Sequence, residues 1–257
     1  MEFAHLSTTV AIKTVSEDSK HGVFEIEGLF AGYGLTVGNA LRRVLLSSLP
    51  GAAVTEIKIK NAPHEFSTIT GVKEDLVELS LNFKKIRFKV HVDEPQVLSL
   101  KVRGEKVVTA GDIKTNSEVE IINPGEVIAN LTSKDADLDM EVTVERGLGY
   151  SPVESRKGGR LSIGTIAIDA IFTPVHKVNY TVDDMRVGER TDFNRLRLEI
   201  ETDGSVGPSA ALHKAANILK DHFERVSGVT VQEFESPKEE KATEESGKKK
   251  KSKSKKD

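Results

Sequence analysis

The chain has 257 residues, of which 37% are hydrophobic and 30% charged, a size and balance that suit one large domain or two ordinary ones. It has no cysteine, which excludes disulfide frameworks, thiolate zinc sites and cysteine nucleophiles, and no apolar run approaches the roughly 20 residues of a membrane-spanning helix. Net charge is -3, but Gly247 to Asp257 holds seven Lys against one Asp, so residues 1–246 carry -9 and suit nucleic acid poorly as a general surface.

The first thirty residues read as strands. Thr8 to Val15 alternates loosely and Val23 to Glu27 strictly, the period of a half-buried strand. Gly28 to Gly34 is a glycine-bearing loop, and a helix is predicted to start near Thr36, with its hydroxyl as cap, and to stop at Pro50-Gly51. Short β-like runs follow: Ala53–Ile59, Ile86–Val92, Val97–Val102, Val107–Ala110, Val119–Ile122, Glu126–Leu131 and Leu138–Val144. One helical stretch interrupts them, with Val72, Leu76, Leu79 and Phe83 on one face. Val175–Val182 and Arg195–Glu201 read as long strands. Gly207-Pro208 then opens a helix that runs to about Val226 and ends at Ser227-Gly228. The residues from Ser236 to Asp257 include no aliphatic side chain larger than Ala242 and read as disordered. Helices at both ends and a β block between them suggest one domain formed by the two chain ends, with the other inserted.

The search for catalytic motifs is empty. Gly32-Tyr33-Gly34-Leu35-Thr36-Val37-Gly38 sits where a dinucleotide fingerprint would, but reads GxGxxxG, one residue too long. His64-Glu65 begins like a zinc motif, yet position 68 is Thr. No catalytic residue, metal ligand or cofactor is predicted.

The helix after Thr36 carries two sets of residues. Val37, Ala40, Leu41, Val44 and Leu45 form an apolar stripe, and Asn39, Arg42, Arg43 and Leu46 form a second set on the other side. That second face reads either as a solvated exterior or as a docking face, where Arg is favoured. The last helix has an apolar face wider than one modest sheet needs, from Ala211 and Leu212 to Phe223. It is buried within the domain or meets a second copy of the chain.

The eighteen-residue stretch from Gly34 to Gly51, GLTVGNALRRVLLSSLPG, strongly resembles the first helix of bacterial DNA-directed RNA polymerase alpha subunits. Ala53–Glu56, His64–Thr68, Gly71–Asp75, Arg146–Tyr150 and Arg190–Asp192 keep the family's order, and the resemblance spans residues 5 to 228. It implies an α+β amino-terminal fold: a dimerisation domain over 1–50 and 171–235, an inserted β-rich domain over 51–170, and a tail from 236 to 257. It also implies a homodimer that serves as platform for the beta and beta-prime subunits of a cytoplasmic nucleotidyltransferase, with no catalytic residue in this chain. In the family two copies pair through the first and last helices, so dimerisation is expected of their apolar faces, Val37, Leu41, Val44, Leu45, Leu212, Ala215, Leu219 and Phe223. Beta docking falls to Arg42, Arg43, Leu46, His64 and Glu65, and beta-prime docking to Lys84 and Ile168, with Asp169–Pro174 a further contact segment. The family usually continues into a helical DNA-binding domain, whereas this sequence ends in lysines. Either the sequence is a shortened form or the lineage lacks that domain; the expectation is promoter DNA reached through the complex, with weak contact from Lys248–Lys256 in the second case. A free-standing binding protein that tethers RNA through that tail, and a nucleotide enzyme using the glycine loop, are the alternatives.

Overall fold

The computed structural model describes residues 10–60, 62, 64–156 and 164–230; the lysine-rich segment lies outside them. In chain order, β1 (Ala11–Glu17) and β2 (His21–Leu29) form a hairpin, and α1 (Tyr33–Ser47) leads almost directly into β3 (Pro50–Ile59). Then come α2 (Leu76–Phe83), β4 (Phe88–Val90), β5 (Gln96–Arg103), β6 (Lys106–Thr109), β7 (Val119–Ile121), β8 (Val127–Leu131) and β9 (Asp137–Leu148). Short strands β10 (Tyr150–Ser151), β11 (Thr165–Ala167) and β12 (Ala170–Ile171) precede the long strands β13 (Val175–Val187) and β14 (Arg190–Thr202), and α3 (Pro208–Ser227) follows.

The chain ends build one antiparallel sheet in the order β1-β2-β14-β13. Leu198 of β14 pairs with Phe24 of β2 on one side and Tyr180 of β13 on the other. Period-2 alternation sends Phe24, Ile26, Leu196, Leu198 and Ile200 to one face, where they bury against Leu41, Leu45 and Leu49 from α1 and its end, and Ala211, Leu212 and Ala215 of α3. Gly34 and Gly38 let α1 lie close to this sheet. A Cβ added at Gly38 would come within 2.8 Å of Tyr180 and 2.9 Å of Leu196. The opposite face carries an ion ladder: Lys13 to Glu27 at 2.5 Å, Arg195 to Glu27 at 3.2 Å and Arg197 to Glu25 at 3.3 Å.

A second core lies between the ends. Its sheet runs β5-β9-β3-β4-β7, with β11 added on β3. Leu98, Leu100, Leu138, Met140, Val142, Val144, Ile57 and Phe88 are buried in it with Leu76, Leu79 and Phe83 of α2. Asp75 starts α2 by accepting from the Glu78 N–H at 2.7 Å. Val72, predicted on this helical face, precedes the helix and pairs in a bridge with Leu131. Ala53, Ala170 and Phe172 form a small third cluster near where α1 passes into β3.

The start of α1 differs from expectation. The helix begins at Tyr33, behind Gly32, and no side chain of the capping residue closes it. The Thr36 hydroxyl donates back to the Gly32 carbonyl at 3.4 Å. A hydroxyl inside the first turn does this readily, so the local cap signal pointed one turn too late.

Candidate docking surfaces

On α1 the two predicted sets separate only in part. Leu41 and Leu45 are buried in the chain's own core, and Val37, Val44 and Leu46 are half-buried against it. Leu46 therefore sits at the border of the core rather than on a free face with Arg42 and Arg43. Both arginines are exposed. The Arg42 Nε donates to the Val178 carbonyl at 3.2 Å, across the free edge of β13. The Arg43 guanidinium has no hydrogen bond or ion pair among the described residues, while its carbonyl accepts from the Ser47 hydroxyl at 2.7 Å.

On α3, Leu212 and Ala215 are buried in the same core and Leu219 is half-buried. From Lys220 to Thr230 every residue is exposed. Phe223 stands 66% exposed and Val226 68%, the latter not singled out by the sequence reading. Of the eight predicted pairing residues, Leu41, Leu45, Leu212 and Ala215 thus face inward, Val37, Val44 and Leu219 line a rim, and Phe223 stands free.

Lys84 and Ile168 are brought together by a residue between them in space, Asp169. Lys84 caps the C-terminus of α2, and its Nζ donates to Asp169 Oδ2 at 3.1 Å. The Val153 N–H donates to Asp169 Oδ1 at 3.0 Å. The Val153 N–H, and then Lys84, hold the Asp169 carboxyl below the usual carboxylate range. Ile168 itself is buried. Its N–H donates to the Thr55 carbonyl at 2.9 Å and its carbonyl accepts from Arg156. What this position can present outward is therefore backbone and its neighbours. Arg156 and Val153 carried no sequence signal, because their partners are Thr55 on β3 and the link Ile168-Asp169 between β11 and β12.

His64 and Glu65 occupy an exposed turn. Ser67 closes it, its N–H donating to the His64 carbonyl at 3.1 Å and its hydroxyl lying 3.1 Å from His64 Nδ1. Phe66 between them is 76% exposed, and the Thr68–Asp75 bridge ties the loop to the start of α2. Among the described residues no hydrogen bond or ion pair joins this turn to Arg42, Arg43 or Leu46.

The segments Arg146–Tyr150 and Asp169–Pro174, far apart in sequence, lie side by side. Tyr150 pairs with Ile171, and the Phe172 N–H donates to the Gly149 carbonyl at 2.8 Å. Leu148 and Tyr150 are exposed there. Two of the three glycines of GxGxxxG face sheet side chains, Val182 and Asn194 at Gly34 and Tyr180 and Leu196 at Gly38, while Gly32 has open space on that side, so Gly34 and Gly38 serve close packing of α1 on the sheet. Among the described residues no three His, Asp or Glu side chains cluster to hold a metal ion.

Comparison with known proteins completes this picture. Residues 57–173 match the family of RNA polymerase Rpb3/RpoA insert domains. The DNA-directed RNA polymerase subunit alpha of Moorella thermoacetica is 51% identical over 213 residues, which are 83% of this chain and 68% of the relative. That of Symbiobacterium thermophilum is 47% identical over 230 residues, 90% of this chain and 71% of the relative. That of Roseiflexus sp. is 52% identical over 216 residues, 84% and 66% respectively.

Proposed function

Since this chain belongs to the DNA-directed RNA polymerase alpha-subunit family, we propose that two copies of it pair and that the pair is the platform on which beta and beta-prime assemble. The chain is an alpha subunit of a nucleotidyltransferase that transcribes DNA; its own share of that work is binding. We assign pairing to residues 1–50 and 171–235 and the inserted β-rich domain to 51–170. Two separate cores support the division, one drawing on Phe24 to Leu49 and Val175 to Ala215, the other on Ala52 to Ile168.

The observation that carries the pairing is the end of α3. Its first half is anchored in the core by Ala211, Leu212 and Ala215, while Phe223 and Val226 stand in water. An apolar helix end left exposed is what a second copy would cover. In this reading Phe223, Leu219, Val37 and Val44 meet the partner. Leu41, Leu45, Leu212 and Ala215 hold the two helices in place from beneath. Arg43, with Arg42, Leu46, His64 and Glu65, turns toward beta. Lys84 and the backbone around Ile168 turn toward beta-prime. Promoter DNA is reached through the complex.

Sedimentation of the pure protein tests this, alone and with beta added. A mass of twice 28.1 kDa that rises when beta is present is the expected result. A protein that stays monomeric at high concentration and ignores beta overturns the reading.

A further inference from the structure

Helix α1 begins without a cap of its own. The residue before it, Gly32, has φ +84 and offers no side chain, and the first turn holds no acidic residue. The leading N–H groups of a helix have no acceptor inside it, and a buried donor left unmet is costly. Here the acceptor arrives from 160 residues further along the chain. Asn194 Oδ1 lies 2.9 Å from the Gly32 N–H and 3.4 Å from that of Gly34. Asn194 is 8% exposed, and among the described residues it shares the buried polar class only with Thr55 and Thr202. Its Nδ2 donates to Asp184 Oδ1 at 3.1 Å, which fixes the amide oxygen toward the helix. Asp184 and Asn194 are register partners on β13 and β14, so the helix end is fastened across both strands of one hairpin.

The rest of the junction is closely filled. A Cβ at Gly34 would lie 2.6 Å from Val182 and 3.0 Å from the Asn194 Cβ. Phe30 packs edge-on to Tyr33 and Phe193, with centroids 6.4 and 5.9 Å apart, and the Arg190 guanidinium lies over Phe30 and Phe193 at 4.8 and 5.3 Å. At 1.5 Å of rise per residue, Arg43 is about 15 Å from the start of α1. A tilt of about 10° at the capped end would therefore move it by about 2.5 Å, nearly the length of a hydrogen bond.

We propose that Asn194, aligned by Asp184, is a positioning residue for docking: it holds α1 at the tilt that presents Arg43 and Leu46 to beta. This rests on the reading of α1 as the beta-docking helix. The test compares four variants of the full chain: Asn194→Ala, Asp184→Ala, Arg43→Ala, and the exchange Asn194→Asp with Asp184→Asn. The exchange keeps an acceptor facing the helix and a donor between the strands without placing two carboxylates together. Three readouts are taken: hydrogen exchange of the first-turn amides, dimer mass, and affinity for beta.

Asn194→Ala should speed exchange at Gly32 and Gly34, the two amides it accepts from, and weaken beta binding, each by about tenfold, the size of a lost helix cap. Dimer mass should not change. Asp184→Ala, at an exposed position, should act in the same direction but less, and remains informative if Asn194→Ala fails to fold. The exchange variant should restore both readouts. Unchanged amide exchange in the alanine variants overturns the cap. Faster exchange with undiminished beta affinity overturns the positioning role while leaving the docking reading in place. Full beta affinity in Arg43→Ala overturns the docking reading itself, and the positioning role with it.

Discussion

Two adjacent arginines on α1 meet different fates. Arg42 reaches across to β13, and its Nε donates to the Val178 carbonyl at 3.2 Å, blunting an open strand edge. Arg43, one position on, points its guanidinium into water with no partner among the described residues. Arg43→Ala should therefore shift the melting stability of the isolated protein by no more than about 0.5 kcal/mol, while costing more than about 1 kcal/mol of beta affinity. Dissociation of the pair in this variant, seen by sedimentation, would contradict the assignment of the residue. Leu41→Asp should do the reverse. It places a carboxylate among buried apolar side chains, where an unpaired charge costs several kcal/mol, so thermal unfolding should show loss of fold and, with it, of the pair. Asp169 makes a prediction about acid. Its carboxyl is held below the ordinary range by the Val153 N–H and then by Lys84, so folding favours the ionised form. That contribution is complete above the unfolded carboxylate value and is lost as pH falls through the lowered native one. Asp169→Asn should thus lose stability at neutral pH and show a flatter acid limb in a pH series of melts. With the Lys84 and Asp169 side chains 28% and 31% exposed, solvent screening keeps the effect below about 1 kcal/mol.

At the level of elements, α3 is the informative case. Its apolar face continues past the point where its own core ends, from Ala211 and Leu212 to Phe223 and Val226. The Ser209 N–H at its start donates to Glu17 of β1 at 2.9 Å, so the helix is held at one end and unsupported at the other. Replacing Phe223 and Val226 together by Ser should leave the monomer's melting temperature nearly unchanged and weaken self-association, measured as a dissociation constant by sedimentation equilibrium. A large drop in monomer stability would instead mean that these side chains serve the chain's own packing. Much of this was legible beforehand. The 3.6-residue periodicity located α2 and α3, and Pro208 and Gly228 mark the ends of α3. The start of α1 was not, because Thr36 is a good cap residue by type, whereas the acceptor in use is Asn194 on β14. The periodicity of α1 likewise could not show that Leu46 leans on the core.

At the scale of the whole molecule, the two chain ends share one core and the middle has another. Strands β2 and β14, paired through Phe24 and Leu198, join parts of the chain that synthesis separates widely, and such long closures form slowly. The order of the three helices and of the longer strands, and membership in the alpha-subunit family, were contained in the linear sequence, because apolar period and an eighteen-residue match are local properties, whereas the short strands β10, β11 and β12 gave no such period. What a buried face packs against was not. A stripe such as Val37, Leu41, Val44 and Leu45 records only that water is excluded, and the same pattern serves a sheet of one's own chain or a helix of another. Three-dimensional packing decided that Leu41 and Leu45 belong to the former, that Arg42 is spent on a strand edge while Arg43 is free, and that Asn194 closes the start of α1. Each of these depends on partners more than a hundred residues away in the chain, a separation over which no local pattern carries information.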